Sequence, residues 1–190
     1  MKFMCYNITM NRKKVIENKF KEFIEKYHLT TSLCFELPTE FVGAFGLYDV
    51  IKNILYVNID KKISFVRLIF TFYHELRHAL QYNNPKMFSK ELQQTLPYIV
   101  HFDGNCYMLK NNKWMHCIIE NRDYDFLEIY KSCPYEIDAN NFAYKHTMMC
   151  LKENETQELN LIYKKALPNK RIDIKDILNI CEIIKNKCYN

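Results

Sequence analysis

Residues 64–85, SFVRLIFTFYHELRHALQYNNP, predict a long helix on which the rest of the chain is expected to pack. Apolar residues recur at three- and four-residue spacing along this stretch, which indicates one helix with a broad apolar face. Ser64 is a suitable N-terminal cap, and Asn83-Asn84-Pro85 is typical of a helix end. The apolar face consists of Phe65, Leu68, Ile69, Phe72, Leu76, Ala79 and Leu80. We therefore expect a buried helix, ending near Tyr82, at the centre of the fold.

The segments before this helix predict one further helix and a hairpin. Residues 11–27 place apolar side chains at helical spacing, so they predict an amphipathic helix. Residues 41–50 and 53–60 read as two strands joined by a short turn at Lys52-Asn53. Together with the buried helix, this pattern indicates an α+β fold in which a small mixed β-sheet or hairpin packs on the central helix.

The segments after the helix predict an insertion and a third helix. Residues 98–131 contain a second hairpin, in which Asn111-Asn112 suit a tight turn. A helix is expected from Pro134 to about Met149, since proline is favoured in the first turn of a helix.

The chain is short enough for one domain with an appendage. It has 190 residues, and its three glycines and five prolines leave little room for flexible linkers. We expect residues 1–150 to form the domain, with the insertion at about 98–131. Residues 151–190 are expected to form a helical extension packed on the same domain, broken at Leu167-Pro168-Asn169.

Charge and cysteine usage exclude several classes of protein. The net charge is +5, but the lysines are scattered and form no basic stripe, so we expect no nucleic-acid partner. No apolar run is long enough for a membrane span, and residues 1–14 lack the apolar core of a signal peptide. The eight cysteines include no Cys-x-x-Cys pair, which predicts reduced, mostly buried thiols. We therefore expect a cytoplasmic protein with no membrane partner; the sequence leaves the oligomeric state open.

The central helix contains the motif His74-Glu75-Leu76-Arg77-His78. Two histidines four residues apart project about 40° apart on one helix face, so both imidazoles can bind one metal ion. The intervening glutamate is placed to accept a proton from a water molecule at that ion. This HEXXH arrangement is typical of zinc metalloproteases, and it makes His74 and His78 the expected metal ligands and Glu75 the expected catalytic base.

A catalytic zinc ion needs a third protein ligand. The metzincin pattern would need Gly at 81 and His at 84, but the residues are Gln81 and Asn84. The other common solution is a glutamate on a later helix, and Glu136 lies in the helix predicted from Pro134. We therefore expect Glu136 to be the third ligand.

Other residues remain alternatives for the third ligand. Asp138 lies two residues after Glu136, and His101, Asp103 and His116 lie in the insertion. Asn140 lies one helical turn after Glu136, where it can hold a ligand histidine in the tautomer needed for metal binding. Tyr135, Tyr144 and His146 are candidates to stabilise an oxyanion.

The two motifs resemble those of the ImmA/IrrE-type zinc peptidases. That family typically shows His-Glu-Leu-Gly-His, followed by Glu-x-x-Ala-Asn-x-Phe-Ala. The matching residues here are His74, Glu75, His78, Glu136, Ala139, Asn140, Phe142 and Ala143, whereas Arg77 replaces the usual glycine. The resemblance covers about residues 10–150 and implies a zincin-like metallopeptidase fold of the gluzincin type.

These observations predict a zinc-dependent metallopeptidase that hydrolyses an intracellular protein or peptide. An edge strand near residues 43–49 is expected to pair with the substrate backbone. One alternative is a non-catalytic, metal-stabilised domain that binds a partner, although such a domain would not need Glu75. A second alternative is a zinc hydrolase that acts on a non-peptide amide.

Overall fold

The α+β class expected from the sequence is confirmed by the structure, a computed structural model. It describes residues 2–101, 103–121 and 123–189, with side chains described from Asn11 onward. In this part of the chain the helices are α1 (Lys2–Tyr27), α2 (Phe65–Asn83), α3 (Lys90–Thr95), α4 (Phe126–Ser132), α5 (Pro134–Met148), α6 (Thr156–Ala166) and α7 (Ile174–Tyr189). The strands are β1 (Ser32–Cys34), β2 (Gly46–Asp49), β3 (Ile54–Val57), β4 (Tyr98–Val100), β5 (Asn105–Lys110) and β6 (Lys113–Ile118).

The predicted central helix is confirmed as α2. The Ser64 side chain accepts a hydrogen bond from the Arg67 backbone N–H at 3.0 Å and so caps the helix. Twelve of the 19 residues are buried, including the polar residues His78 and Gln81. Because buried polar groups need partners, the helix must meet other polar groups inside the fold.

The first sheet is mixed and has the strand order β1-β3-β2. The hairpin of β2 and β3 is confirmed, but β2 begins at Gly46 rather than near residue 41. Residues 39–41 form a 3-10 turn, and Gly43 has a φ of 101°, which takes the backbone out of the extended conformation. The short strand β1 pairs in parallel with β3 and was not predicted.

The edge strand β2 packs closely on α2 because residue 46 is glycine. A Cβ atom at this position would lie 2.7 Å from Thr71 Cγ2 and 3.1 Å from Glu75 Cγ, well inside normal carbon–carbon contact. Gly46 therefore allows the strand to lie directly against the helical turn that carries Glu75.

The predicted insertion forms a second antiparallel sheet with the order β4-β5-β6. Its hairpin turns at Asn111-Asn112, as predicted, and both residues have positive φ values, 49° and 61°. Such values at both central residues are typical of the type I′ turn that matches the twist of paired strands.

The two C-terminal helices pack on different parts of the fold. Leu159 and Ile162 of α6 are buried in the hydrophobic cluster that surrounds α2. Ile180 and Ile184 of α7 are buried in a second cluster, beside β5 and β6. The boundary near residue 150 between domain and extension stays a prediction.

No helix in the described residues is long and apolar enough to cross a membrane. The seven cysteines with described side chains are free thiols, and five of them are buried. Cys5 lies outside the residues whose side chains are described.

Candidate metal centre

The two histidines of α2 point at a common position. His74 and His78 are one helical turn apart, and their Nε2 atoms are 3.0 Å apart. The His78 ring is buried, and the His74 ring is largely so. Their spacing is a local property of the helix, which is why the sequence predicts it.

Glu136 reaches the same position from α5, which packs along α2. Its Oε2 lies 3.4 Å from His74 Nε2, and its Oε1 lies 3.5 Å from His78 Nε2. Glu136 is 5% exposed, although it lies in the first turn of its helix. His74, His78 and Glu136 thus form a group that can hold a metal ion, and the described residues contain no other such group of three or more.

In the metal-free protein, the close approach of His74 and Glu136 changes the pKa values of both side chains. Burial alone lowers the pKa of His74, but hydrogen bonding and charge attraction from Glu136 outweigh it and raise the pKa to about 9. Burial raises the pKa of Glu136, but electrostatic attraction from the two histidines and a hydrogen bond from His74 lower it more. The pair is therefore an imidazolium and a carboxylate at neutral pH, and a metal ion must displace the proton.

Glu75 is held beside this group by the edge strand. The Tyr48 backbone N–H donates to Glu75 Oε2 at 3.0 Å. Because this N–H points away from β3, it is an outer edge group of the sheet. Only one carboxylate oxygen is used in this contact, and Glu75 is part-exposed.

The structure separates Asp138 from the ligand group. Its two carboxylate oxygens accept hydrogen bonds from Arg77 Nε at 2.7 Å and from Arg77 Nη2 at 3.0 Å. The Gln81 side-chain amide donates to Asp138 Oδ2 at 2.8 Å. Asp138 is therefore engaged by Arg77 and Gln81, and Glu136 is the α5 carboxylate that meets the histidines.

Asn140 lies next to His74, as the sequence suggests, but Asn140 makes no hydrogen bond to the Nδ1 atom of His74. The Asn140 amide favours the protonated form of His74. However, His74 Nδ1 is buried and has no hydrogen-bond partner. The Asn140 Nδ2 atom instead donates to the Ala166 carbonyl at 3.3 Å.

The three oxyanion candidates on α5 are engaged elsewhere. The Tyr144 hydroxyl donates to Asn160 of α6 at 2.8 Å, and the Tyr135 hydroxyl donates to the Tyr98 carbonyl at 2.9 Å. The His146 ring packs against Phe142, with ring centroids 4.0 Å apart. None of these contacts directs a polar atom to the ligand group.

The candidates in the insertion are also used locally. Asp103 accepts hydrogen bonds from the backbone and side chain of Asn105, and His116 Nε2 lies 2.7 Å from Asn105 Oδ1. His101 packs against the Tyr107 ring. These contacts lie in the second sheet, so the insertion supplies no ligand from these residues.

Tyr130 is a further candidate functional residue near the ligand group, and sequence reasoning did not identify it. It lies on α4, and its hydroxyl lies near the carboxylates of Glu136 and Glu75. Burial and the two carboxylates raise its pKa well above 10, so the phenol keeps its proton. The sequence carries no signal for it, because α4 reaches the site only through packing on α5.

Comparison of the chain with protein-family models, with curated proteins and with solved structures found no match. The assignment of the site therefore depends on its geometry and on the two sequence motifs.

We expect His74 of the metal-free protein to titrate near pH 9 in NMR measurements of its ring C–H signals. His146, whose pKa is lowered by burial and nearby lysines, should titrate below 6.5 in the same spectra. In Glu136→Gln, the pKa of His74 should fall towards its usual value. A wild-type His74 that titrates at or below 6.5 would contradict this electrostatic description.

The raised pKa of His74 makes the stability of the metal-free fold depend on pH. Because the folded state binds the His74 proton more tightly than the unfolded chain, the proton stabilises the metal-free fold fully below pH 6.5. This stabilisation should be lost as the pH rises to about 9, which denaturant unfolding can measure. Metal affinity should rise over the same range, since the proton competes with the metal.

Proposed function

We propose that this protein is a zinc-dependent metallopeptidase with a zincin-like fold, acting on an intracellular protein or peptide. One observation carries the proposal. Three ligand atoms converge at the centre of the fold, and Glu75, a further carboxylate, is held beside them by a backbone N–H of the edge strand. A purely structural metal site would have no use for that carboxylate.

The spacing of the ligand atoms supports zinc as the metal. Tetrahedral zinc with bonds of about 2.0–2.2 Å has neighbouring ligand atoms about 3.3–3.6 Å apart. The two histidine Nε2 atoms here are 3.0 Å apart. The nearest Glu136 oxygen lies 3.4 Å from His74 Nε2 (Oε2) and 3.5 Å from His78 Nε2 (Oε1), so the group is compact enough for such an ion. Two histidines and one glutamate are also a ligand set of catalytic zinc, with a fourth position open. When bound, the ion would polarise a substrate carbonyl and lower the pKa of water.

Glu75 is proposed as the general base. It accepts a proton from the attacking water and passes it to the leaving nitrogen of the peptide. The hydrogen bond from Tyr48 N–H fixes one carboxylate oxygen. The other oxygen is then available for the proton, and the base keeps its orientation throughout the reaction.

The outer edge of β2 is proposed to bind the substrate backbone. In an antiparallel pair, alternate residues direct their backbone groups away from the partner strand. Tyr48 is such a residue, and Gly46, two positions earlier, is another. Gly46 therefore offers an N–H and a C=O to an extended peptide, next to Glu75.

Tyr130 is proposed to stabilise the developing oxyanion. Its phenol is a hydrogen-bond donor that stays protonated beside Glu136 and Glu75. A donor already in place where negative charge develops lowers the barrier without reorganisation.

The compartment that we propose is the cytoplasm. The seven described cysteines are free thiols, which is the usual state in a reducing compartment. A protein or peptide substrate would then be met inside the cell.

We expect Glu75→Gln to bind zinc with the wild-type stoichiometry and to cleave no peptide. The substitution keeps an oxygen for the Tyr48 N–H but removes the base. A peptide library digested by the zinc-loaded protein, read by mass spectrometry, supplies the measurement. Glu182→Gln, at a surface ion pair, is the matched control. Cleavage by Glu75→Gln would refute the mechanism, and a zinc-loaded wild type that cleaves nothing would favour the non-catalytic domain.

We expect Tyr130→Phe to lower kcat about 100-fold with little change in KM, because it removes a donor needed mainly in the transition state. Tyr144→Phe is the matched control, since its hydroxyl bonds to Asn160 on α6. Steady-state kinetics on a cleaved library peptide measures both. Equal kcat values for the two variants would exclude Tyr130 from the reaction.

A further inference from the structure

We propose that Gln81, held by Asp138 and Arg77, sets the tautomer of His78 and so prepares its Nε2 atom for the metal. These are positioning residues that act through His78. The inference deepens the proposed function, since it concerns the same metal site, but it can be tested on the metal-free protein.

The orientation of the Gln81 amide is fixed by two acceptors. Its Nε2 donates to the Tyr135 carbonyl at 2.9 Å and to Asp138 Oδ2 at 2.8 Å. An amide flip would set the Gln81 oxygen against a carbonyl and a carboxylate, neither of which can donate a hydrogen bond. Gln81 is fully buried, so water cannot compensate for the lost bonds.

The fixed amide presents its oxygen to His78. Gln81 Oε1 lies 2.8 Å from His78 Nδ1. Because this oxygen can only accept, Nδ1 must carry the proton. In the neutral ring, the lone pair then lies on Nε2, the atom that faces His74 and Glu136.

Asp138 is itself held in place by Arg77. The two form a double hydrogen bond, at 2.7 and 3.0 Å. The Arg77 guanidinium also lies over the rings of Phe88 and Phe142, 4.6 and 4.7 Å from their centroids. A continuous chain of hydrogen bonds therefore leads to the ligand group: Arg77 binds Asp138, Asp138 binds Gln81, and Gln81 binds His78.

The other ligand histidine has no such support. His74 Nδ1 is buried without a hydrogen-bond partner. The two ligands therefore differ, and only His78 has its tautomer imposed by the protein. If Gln81 acts through His78, the loss of the Gln81 amide should change the tautomer of the His78 ring.

The test compares Gln81→Met with wild type in zinc-binding titrations. Methionine nearly matches glutamine in volume but removes all three hydrogen bonds. We expect zinc affinity to fall about 10- to 100-fold, the usual effect of losing a group that orients a ligand. Gln93→Met is the matched control, because Gln93 lies on α3 and its amide donates to the Phe88 carbonyl rather than to a group at the metal site.

A second readout separates positioning from a structural effect. We expect ¹⁵N NMR of the metal-free wild type to show the neutral His78 ring protonated at Nδ1, and Gln81→Met to lose this preference. If Gln81→Met does not fold, Asp138→Asn replaces it. This change removes an acceptor from Arg77 or Gln81 at a part-exposed site beside a surface pocket of about 380 Å³. It should lower zinc affinity several-fold.

The outcomes distinguish this inference from the proposed function. Unchanged zinc affinity and an unchanged His78 tautomer in a folded variant would overturn the role of Gln81. A His78 protonated at Nε2 in the metal-free wild type would overturn it as well. A protein that binds zinc and shows these effects but cleaves no peptide would support the role of Gln81 while refuting the peptidase.

Discussion

Where α5 packs against α2, a buried carboxylate and two imidazole nitrogens come within 3.5 Å of one another. Three groups with lone pairs directed at one point repel each other unless a proton or a cation lies between them. Burial makes this more severe, because water cannot screen the charges. The site depends on the packing of two helices, because α2 carries His74 and His78 while α5 carries Glu136.

The same helix pair explains why a carboxylate two residues from the ligand takes a different role. Asp138 lies on the part of α5 that faces Arg77 and Gln81, and it binds both. Arg77 lies where the ImmA/IrrE-type peptidases, whose motifs resemble those of this chain, usually have glycine. In this chain its partner is Asp138. A charged residue in the motif is accommodated because its charge is paired with Asp138 and its guanidinium contacts two aromatic rings.

Sequence reasoning succeeded where structure is local. The spacing of apolar residues located α2, the Asn111-Asn112 turn located the second hairpin, and helical geometry paired His74 with His78. It failed where conformation depends on distant contacts. The strand predicted from residue 41 is interrupted because Gly43 adopts a positive φ, and β1 is a three-residue strand stabilised by its pairing with β3.

Sequence reasoning reached the ligand group but missed several of the residues around it. Tyr130 meets Glu136 only because α4 packs against α5, and the amide of Gln81 is oriented by Tyr135 and Asp138, more than 50 residues away. Tyr144 could not be excluded from the sequence, because its partner Asn160 lies on α6.

Diffraction from zinc-loaded crystals, measured at the zinc absorption edge, would locate the metal ion. We expect one strong anomalous peak about 2.0–2.2 Å from His74 Nε2, His78 Nε2 and an oxygen of Glu136. A peak bound by Asp138 or by the second sheet would contradict the ligand set. The absence of any peak at the two histidines would contradict the existence of the site.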